Sequence, residues 1–203
     1  MKKYIFNKME ALDDFEYAYS PICKEHVRFE QQKGCVANYK EETPEEFAYV
    51  SVITKEKIAA GTKVSVKCSF GKFGAPLLVF SNDLSSNDDG SKLYGLHFEV
   101  VAYENGCNIW HIVPDPSNTV RPIKTKKIAF AEFPIQENEM IDIVVQFEMG
   151  RIVSVVNGHE ILCENEDIPE EFYVGFTGCE GPNRFYEMVI ERFIVHSAQI
   201  NGV

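Results

Sequence analysis

From Lys63 to Phe70 the chain reads KVSVKCSF, with Val64, Val66, Cys68 and Phe70 on one side and Lys63, Ser65, Lys67 and Ser69 on the other. Strict alternation of this kind fits a strand with one buried face. It does not fit a helix, whose apolar stripe recurs every three or four residues. The same period returns in MIDIVVQFEMGRIVSVVNGHEI (140–161). Two alternating runs there flank Met149-Gly150, and Asn157-Gly158 turns the chain again. EFAYVSVIT (46–54) is aromatic and β-branched with no helical spacing, which again favours a strand.

Further strand candidates are EHVRFEQ (25–31), CVANY (35–39), PLLVFS from Pro76, LHFEVVAYENGCNIWHIVP (96–114), KKIAFAEF (126–133), EFYVGFTG (171–178) and RFYEMVIERFIVH (184–196). NKMEALDDFEYAYS (7–20), in the least patterned region, and KEKIAAGT (55–62) leave room for one helical turn each. Pro134 ends its strand or places it at an edge. The reading gives about eleven to thirteen strands and no long helix, the pattern of a sandwich or a barrel. No repeat and no Gly/Ser linker divides the 203 residues, so one domain is expected, with residues 1–24 as a lead-in and 25–196 as the sandwich.

Composition narrows the partners. A formal charge of −11 argues against nucleic acid or an anionic membrane surface. The stretch after the N-terminal lysines is polar and acidic where a signal peptide needs an apolar run, and no run reaches membrane-spanning length. The six cysteines contain no CxxC pair. They read as reduced, packed thiols, and the protein is expected to be cytoplasmic.

Three stretches carry a likeness to a known superfamily. DDF (13–15), IDIVVQFEMGRIVSVVNG (141–158) and EFYVGFTG followed by RFYEMVIERFIV (184–195) resemble the entering strand, the paired strands and the closing strands of the concanavalin A-like lectin/glucanase superfamily, in its broad laminin-G-like sense. The resemblance spans residues 13–196. It implies an all-β, two-sheet antiparallel sandwich of jelly-roll type. It also implies a curved sheet whose concave face and rim loops hold carbohydrate.

The hairpin at 96–114 supplies the candidate face. With Asn105-Gly106 as a type I′ turn, Glu104 would pair with Cys107, Val101 with Trp110 and Glu99 with Ile112. Leu96, Phe98, Val100, Ala102, Cys107, Ile109, His111 and Val113 then face the core, and His111 is structural. His97, Glu99, Val101, Tyr103, Asn108, Trp110 and Ile112 face out. Trp110, the chain's one tryptophan, offers a ring for the apolar face of a pyranose. Glu99, Asn108 and His97 offer hydroxyl partners, and Tyr103 extends the platform. The alternative is that Trp110 packs beneath a loop.

Two other clusters stand out. GCEGPNRFYE (178–187) crowds Glu180, Asn183, Arg184 and Tyr186 into one turn, either on the rim of the concave face or merely stabilising the loop. SNDLSSNDDGS (81–91) carries Asp83, Asp88 and Asp89, oxygen ligands of the kind Ca²⁺ takes. Their spacing is not that of an EF-hand, and Asn and Asp also dominate ordinary turns. No metal or other cofactor is therefore expected, with Ca²⁺ the exception to test.

Glucanases of the resembled fold carry paired acids on one strand, and no such run occurs here. Glu99, His97 and Glu180 remain the candidate catalytic set for a glycoside hydrolase or lyase. GxSxG, HExxH, P-loop and GxGxxG signatures are absent. The expectation is a saccharide-binding sandwich around Trp110. The sugar enzyme and a protein-interaction module of the same fold stand as alternatives.

Overall fold

The fold comes from a computed structural model that describes residues 1–23, 25–43, 49–87 and 90–192. Among the described residues, eighteen strands form two sheets. Apart from one short parallel pairing, neighbouring strands run antiparallel. The all-β sandwich expected from the alternation is therefore present.

The first sheet runs in the order β16 (His159–Glu164), β15 (Arg151–Val156), β14 (Ile141–Glu148), β7 (Thr62–Phe70), β18 (Asn183–Arg192), β4 (Cys35–Ala37) and β3 (Glu30–Gln32), with β1 (Lys2–Ile5) also paired to β18. The second runs β13 (Ile123–Glu132), β12 (Gly106–Pro114), β11 (His97–Tyr103), β8 (Gly74–Ser81), β17 (Glu171–Glu180), β5 (Val50–Thr54), β2 (Phe15–Tyr19), β10 (Lys92–Tyr94) and β9 (Leu84–Ser86), with β6 (Ile58–Ala59) on β17. The first 24 residues are more than a lead-in, since they give one strand to each sheet. A single 3-10 turn, Met9–Leu12, lies between those strands. The turn expected over 55–62 is instead the short strand β6.

Between the sheets the inward residues of both meet. Val64, Val66, Cys68 and Phe70 of β7 are buried, as their alternation requires, and they face Leu78, Phe80, Phe98, Val174 and Phe176 of the second sheet. Rings cross the interface: Phe80 to Phe147 at 4.7 Å, Phe147 to Phe172 at 4.2 Å and Phe176 to Phe185 at 4.5 Å. Each such ring buries about 150–250 Å², so this layer supplies most of the hydrophobic drive.

A smaller cluster lies on the other side of the second sheet. Ala18, Ile53, Leu77, Val79 and Tyr94 are buried together, with Leu84, Val101, Tyr173 and Cys179 packed against them. Tyr94 arrives from the β9–β10 hairpin, whose first strand falls inside the stretch 82–91 that the sequence marks as loop. That hairpin joins the sheet edge through parallel pairing of Lys92 with Ala18. The outer face of the second sheet is thus partly roofed.

Candidate functional site

Strands β11 and β12 form a hairpin in which Glu99 pairs with Trp110, His97 with Ile112 and Val101 with Asn108. The turn residues are Glu104 and Asn105, and Tyr103 pairs with Gly106. The pairing is shifted by two residues from the one a type I′ Asn-Gly turn would give. Asn105 lacks the positive φ that such a turn demands, and Gly106 instead follows the turn as its fourth residue. A two-residue shift leaves side-chain parity unchanged. Phe98, Val100, Ala102, Cys107 and Ile109 are fully buried in the core, while His97, Glu99, Tyr103, Asn108 and Trp110 share the outer face.

The ladders extend this face into rows. One row runs Lys127, Trp110, Glu99, Val79, Gly175, Ile53 and Glu16 across seven strands. The next holds Asn108, Val101, Leu77, Thr177 and Ser51. Trp110 is half-buried, flanked by Glu99 on one strand and Lys127 on the other.

His97 is 0% exposed. Its Nδ1 lies 2.8 Å from the Gly95 carbonyl oxygen, which only accepts, so Nδ1 carries a proton and donates. Its Nε2 lies 3.7 Å from Glu99 Oε1 and has no hydrogen-bond partner. The Glu99 side chain is 13% exposed. Asn108 Oδ1 and the Tyr49 hydroxyl are also enclosed without partners, although the rest of Tyr49 reaches solvent. Buried polar atoms normally find partners. Three of the eight such atoms among the described residues lie on and above this one sheet face.

The roof is polar underneath. Tyr94 shares a short hydrogen bond with Ser51 Oγ, and Ser51 shares one with Thr177 Oγ1 at 2.5 Å. The Tyr94 ring is 4.9 Å from the His97 ring. Burial, and then the charge of Glu99, push the Tyr49 hydroxyl well up and the Cys179 thiol up to about 12. Cys23 rises to about 11, chiefly through burial and also through Glu99, against a lowering backbone bond at Ser20. The hydroxyls and thiols around Glu99 are therefore protonated donors at neutral pH. Tyr49, Ser51, Tyr94, Thr177, Cys23 and Cys179 lie outside the set read from sequence. The available signal was a hydroxyl residue, Ser51 or Thr177, in the middle of a largely apolar run in each of two strands.

Of residues 178–187, Cys179 reaches this face, while the predicted rim residues Glu180, Asn183, Arg184 and Tyr186 do not join it. β18 crosses to the first sheet, so Arg184 and Tyr186 line a separate cavity of about 370 Å³ with Tyr39. There Arg184 sits 5.3 Å over the Tyr39 ring and donates to Asn138 Oδ1 at 3.1 Å. Tyr186 shares a hydrogen bond with Ser69 at 3.0 Å. Asn183 is 0% exposed and ties the β17–β18 connection, donating to the Cys179 and Gly181 carbonyls. Glu180 ends β17 five residues beyond Gly175 and on a strand three removed from Trp110, about 20 Å away at ordinary strand spacings. Glu187 pairs with Lys3 on the first sheet at 2.8 Å. No carboxylate pair forms from Glu99 with either.

His111 stacks on buried Phe98 at 4.8 Å. Burial lowers its pKa, and Asp167 at 3.3 Å only partly opposes this. Asp88 and Asp89 lie outside the described residues. Among those described, Asp83 included, no three or more His, Cys, Asp or Glu side chains converge as metal ligands.

No protein-family model matches the chain, and no curated protein matches it. Its similarities are to solved structures. One is a Bacillus subtilis protein of unknown function with a galectin-like fold, at TM-score 0.65 and 10% identity, covering 95% of both chains. A second is the carbohydrate recognition domain of Emp46p in metal-free form, at TM-score 0.63 and 9% identity, covering 92% of this chain and 91% of that one. A third is the exoplasmic/lumenal domain of VIP36 with Ca²⁺ and Man3GlcNAc bound, at TM-score 0.61 and 14% identity, covering 95% and 89%. At these identities the likeness is one of fold, a lectin-like β-sandwich.

Proposed function

We infer that this chain, built on the sandwich it shares with those lectin domains, binds a saccharide on the outer face of its second sheet. The observation that carries the reading is the direct pairing of Trp110 with Glu99 beside the enclosed, unpartnered Nε2 of His97 and Oδ1 of Asn108. A pyranose ring has a C–H face that stacks on an indole and hydroxyls that need fixed acceptors beside it. The roles follow from position: Trp110 stacks, Glu99 takes hydroxyl protons, Tyr103 extends the platform, and His97 and Asn108, whose acceptor atoms are enclosed, back the face from beneath. The names of two neighbours support it, one a carbohydrate recognition domain and one with an oligosaccharide bound.

The catalytic alternative needs two carboxylates about 5–10 Å apart across the bond, and Glu180 and Glu187 both lie away from Glu99. We therefore propose binding without hydrolysis, and without Ca²⁺. The test is a glycan array with the purified protein, with and without Ca²⁺, repeated with Trp110→Ala. Because Trp110 lies on the outer face and not between the sheets, the variant should still fold cooperatively and lose array signal at least tenfold. A variant that unfolds, or one that binds as the parent does, would overturn the reading.

A further inference from the structure

Glu99 brings a negative charge into a nearly enclosed site, and among the described residues no lysine or arginine meets it. Its carboxylate has one ion-pairing neighbour within 4 Å, His97 Nε2 at 3.7 Å. The groups that feel its charge, Tyr49, Tyr94, Cys23 and Cys179, are neutral acids, and no cation figures among the charges acting on them. The nearest basic side chain along the row, Lys127, lies on the far side of Trp110, with its ammonium 4.9 Å over the Phe130 ring. A carboxylate largely shielded from water is unfavourable unless something cationic or strongly donating reaches it.

The inventory of donors and acceptors points the same way. His97 Nδ1 donates to Gly95, so whenever the ring holds a single proton its Nε2 turns a bare lone pair toward Glu99. Two acceptors facing each other repel until a proton stands between them. Asn108 Oδ1 is a third enclosed acceptor. A ligand that completes the set brings protons and positive charge, and it must lie against the Trp110 ring. An ammonium group has three N–H donors and no acceptor, and it is drawn to an indole face.

We propose that the saccharide taken here carries a free, protonated amine, an amino sugar whose ammonium sits between Glu99 and Trp110, the two members of the site that reach the surface. The proposal rests on the saccharide reading and narrows it. An N-acetylated sugar fails on both counts, being neutral and offering a single N–H. A carboxylated or sulfated sugar meets the charge of Glu99. The competing internal solution is a doubly protonated His97 that neutralises Glu99, which would make the site favour uncharged sugars.

The single tryptophan gives one indole N–H resonance, which reports binding without ambiguity. The full chain is titrated by NMR at pH 7 and low salt with glucosamine, galactosamine and mannosamine, each beside its N-acetylated form and its parent hexose. The expected result is that at least one amine shifts the indole signal with an affinity tenfold or more above its two counterparts. That preference should shrink several-fold on going from about 0.05 to 0.3 M salt, and Glu99→Gln should abolish it. The salt titration needs no variant, so the proposal stays testable should Glu99→Gln fail to fold. Binding of the neutral sugars as tight as the amines, or a preference indifferent to salt, would overturn the amine assignment and leave the saccharide reading intact. Silence from all nine sugars would overturn both. Spermidine shifting the resonance as strongly as the best amino sugar would also defeat the assignment, since charge alone would then suffice.

Discussion

The hairpins β11–β12 and β15–β16 both contain Asn-Gly and both alternate with period two, yet they turn at different places. In β15–β16, Asn157 (φ 47°) and Gly158 (φ 85°) are the central turn residues, and Val156 pairs with His159. This is the type I′ geometry for which Asn-Gly is suited. In β11–β12 the turn falls on Glu104 and Asn105, and Gly106 opens the next strand. The difference lies in what stands beside each glycine. A Cβ on Gly158 would meet nothing within 4 Å, whereas one on Gly106 would stand 2.1 Å from the carbonyl oxygen of Ala131 on β13. β16 is the outer strand of its sheet, while β12 is covered by β13. The same dipeptide answers a local demand in one hairpin and the close approach of a third strand in the other.

That contrast is most sharply broken at the glycines. Gly106→Ala should cost about 3 kcal/mol or more, because the methyl meets backbone that cannot swing aside. Gly158→Ala has open space and should cost about 1–2 kcal/mol, the penalty of a left-handed conformation alone. Urea unfolding of both variants checks this. Equal losses would mean that β13 does not set the turn.

The hairpins also differ in their buried thiols. Burial pushes Cys107 of β12 from 9.0 up to about 12, and raises Cys163 of β16 as well, helped by Glu164. In the unfolded chain each thiol loses its proton near its ordinary value. Between pH 9 and 12 the native state therefore holds more protons, and stability falls as pH rises, by at most about 1.4 kcal/mol per pH unit for each thiol. Below pH 9 both states are protonated and the contribution is fully present. Urea midpoints from pH 8 to 11 should decline less steeply for Cys107→Ala than for the parent, and Cys163→Ala should change the slope less. Parallel curves for all three proteins would remove burial as the cause.

Parity explains why so much of the outer face was legible in the sequence. Alternation assigns a residue to a face, and an error of two residues in pairing leaves every assignment standing. His97, Glu99, Asn108 and Trp110 share a face in spite of the displaced turn. Pairing and sheet membership have no such protection. GCEGPN reads as one turn between two late strands, but the turn carries β18 into the opposite sheet and takes Arg184 and Tyr186 with it. The causes are tertiary: Asn38 Oδ1 accepts the Asn183 N–H at 2.8 Å, and Gly71 and Gly74 pack against Pro182. The roof was equally hidden, because Tyr94 reaches the face through a parallel pairing of two residues that no local pattern encodes.

The asparagines give the smallest and cleanest contrast. Asn157 works twice: it holds a positive φ that asparagine tolerates better than alanine, and its Oδ1 accepts the Asp142 N–H at 3.0 Å. Asn105 has neither duty, since its φ is ordinary and its amide reaches only the exposed Glu104 carboxylate at 3.2 Å. Asn157→Ala should therefore cost about 1–2 kcal/mol and Asn105→Ala less than about 0.5 kcal/mol. Asn105→Ala should also leave the single indole resonance unmoved, because the register is held by Gly106 against β13 and not by the residue before it. A shifted indole signal in that variant would return the choice of register to the turn itself.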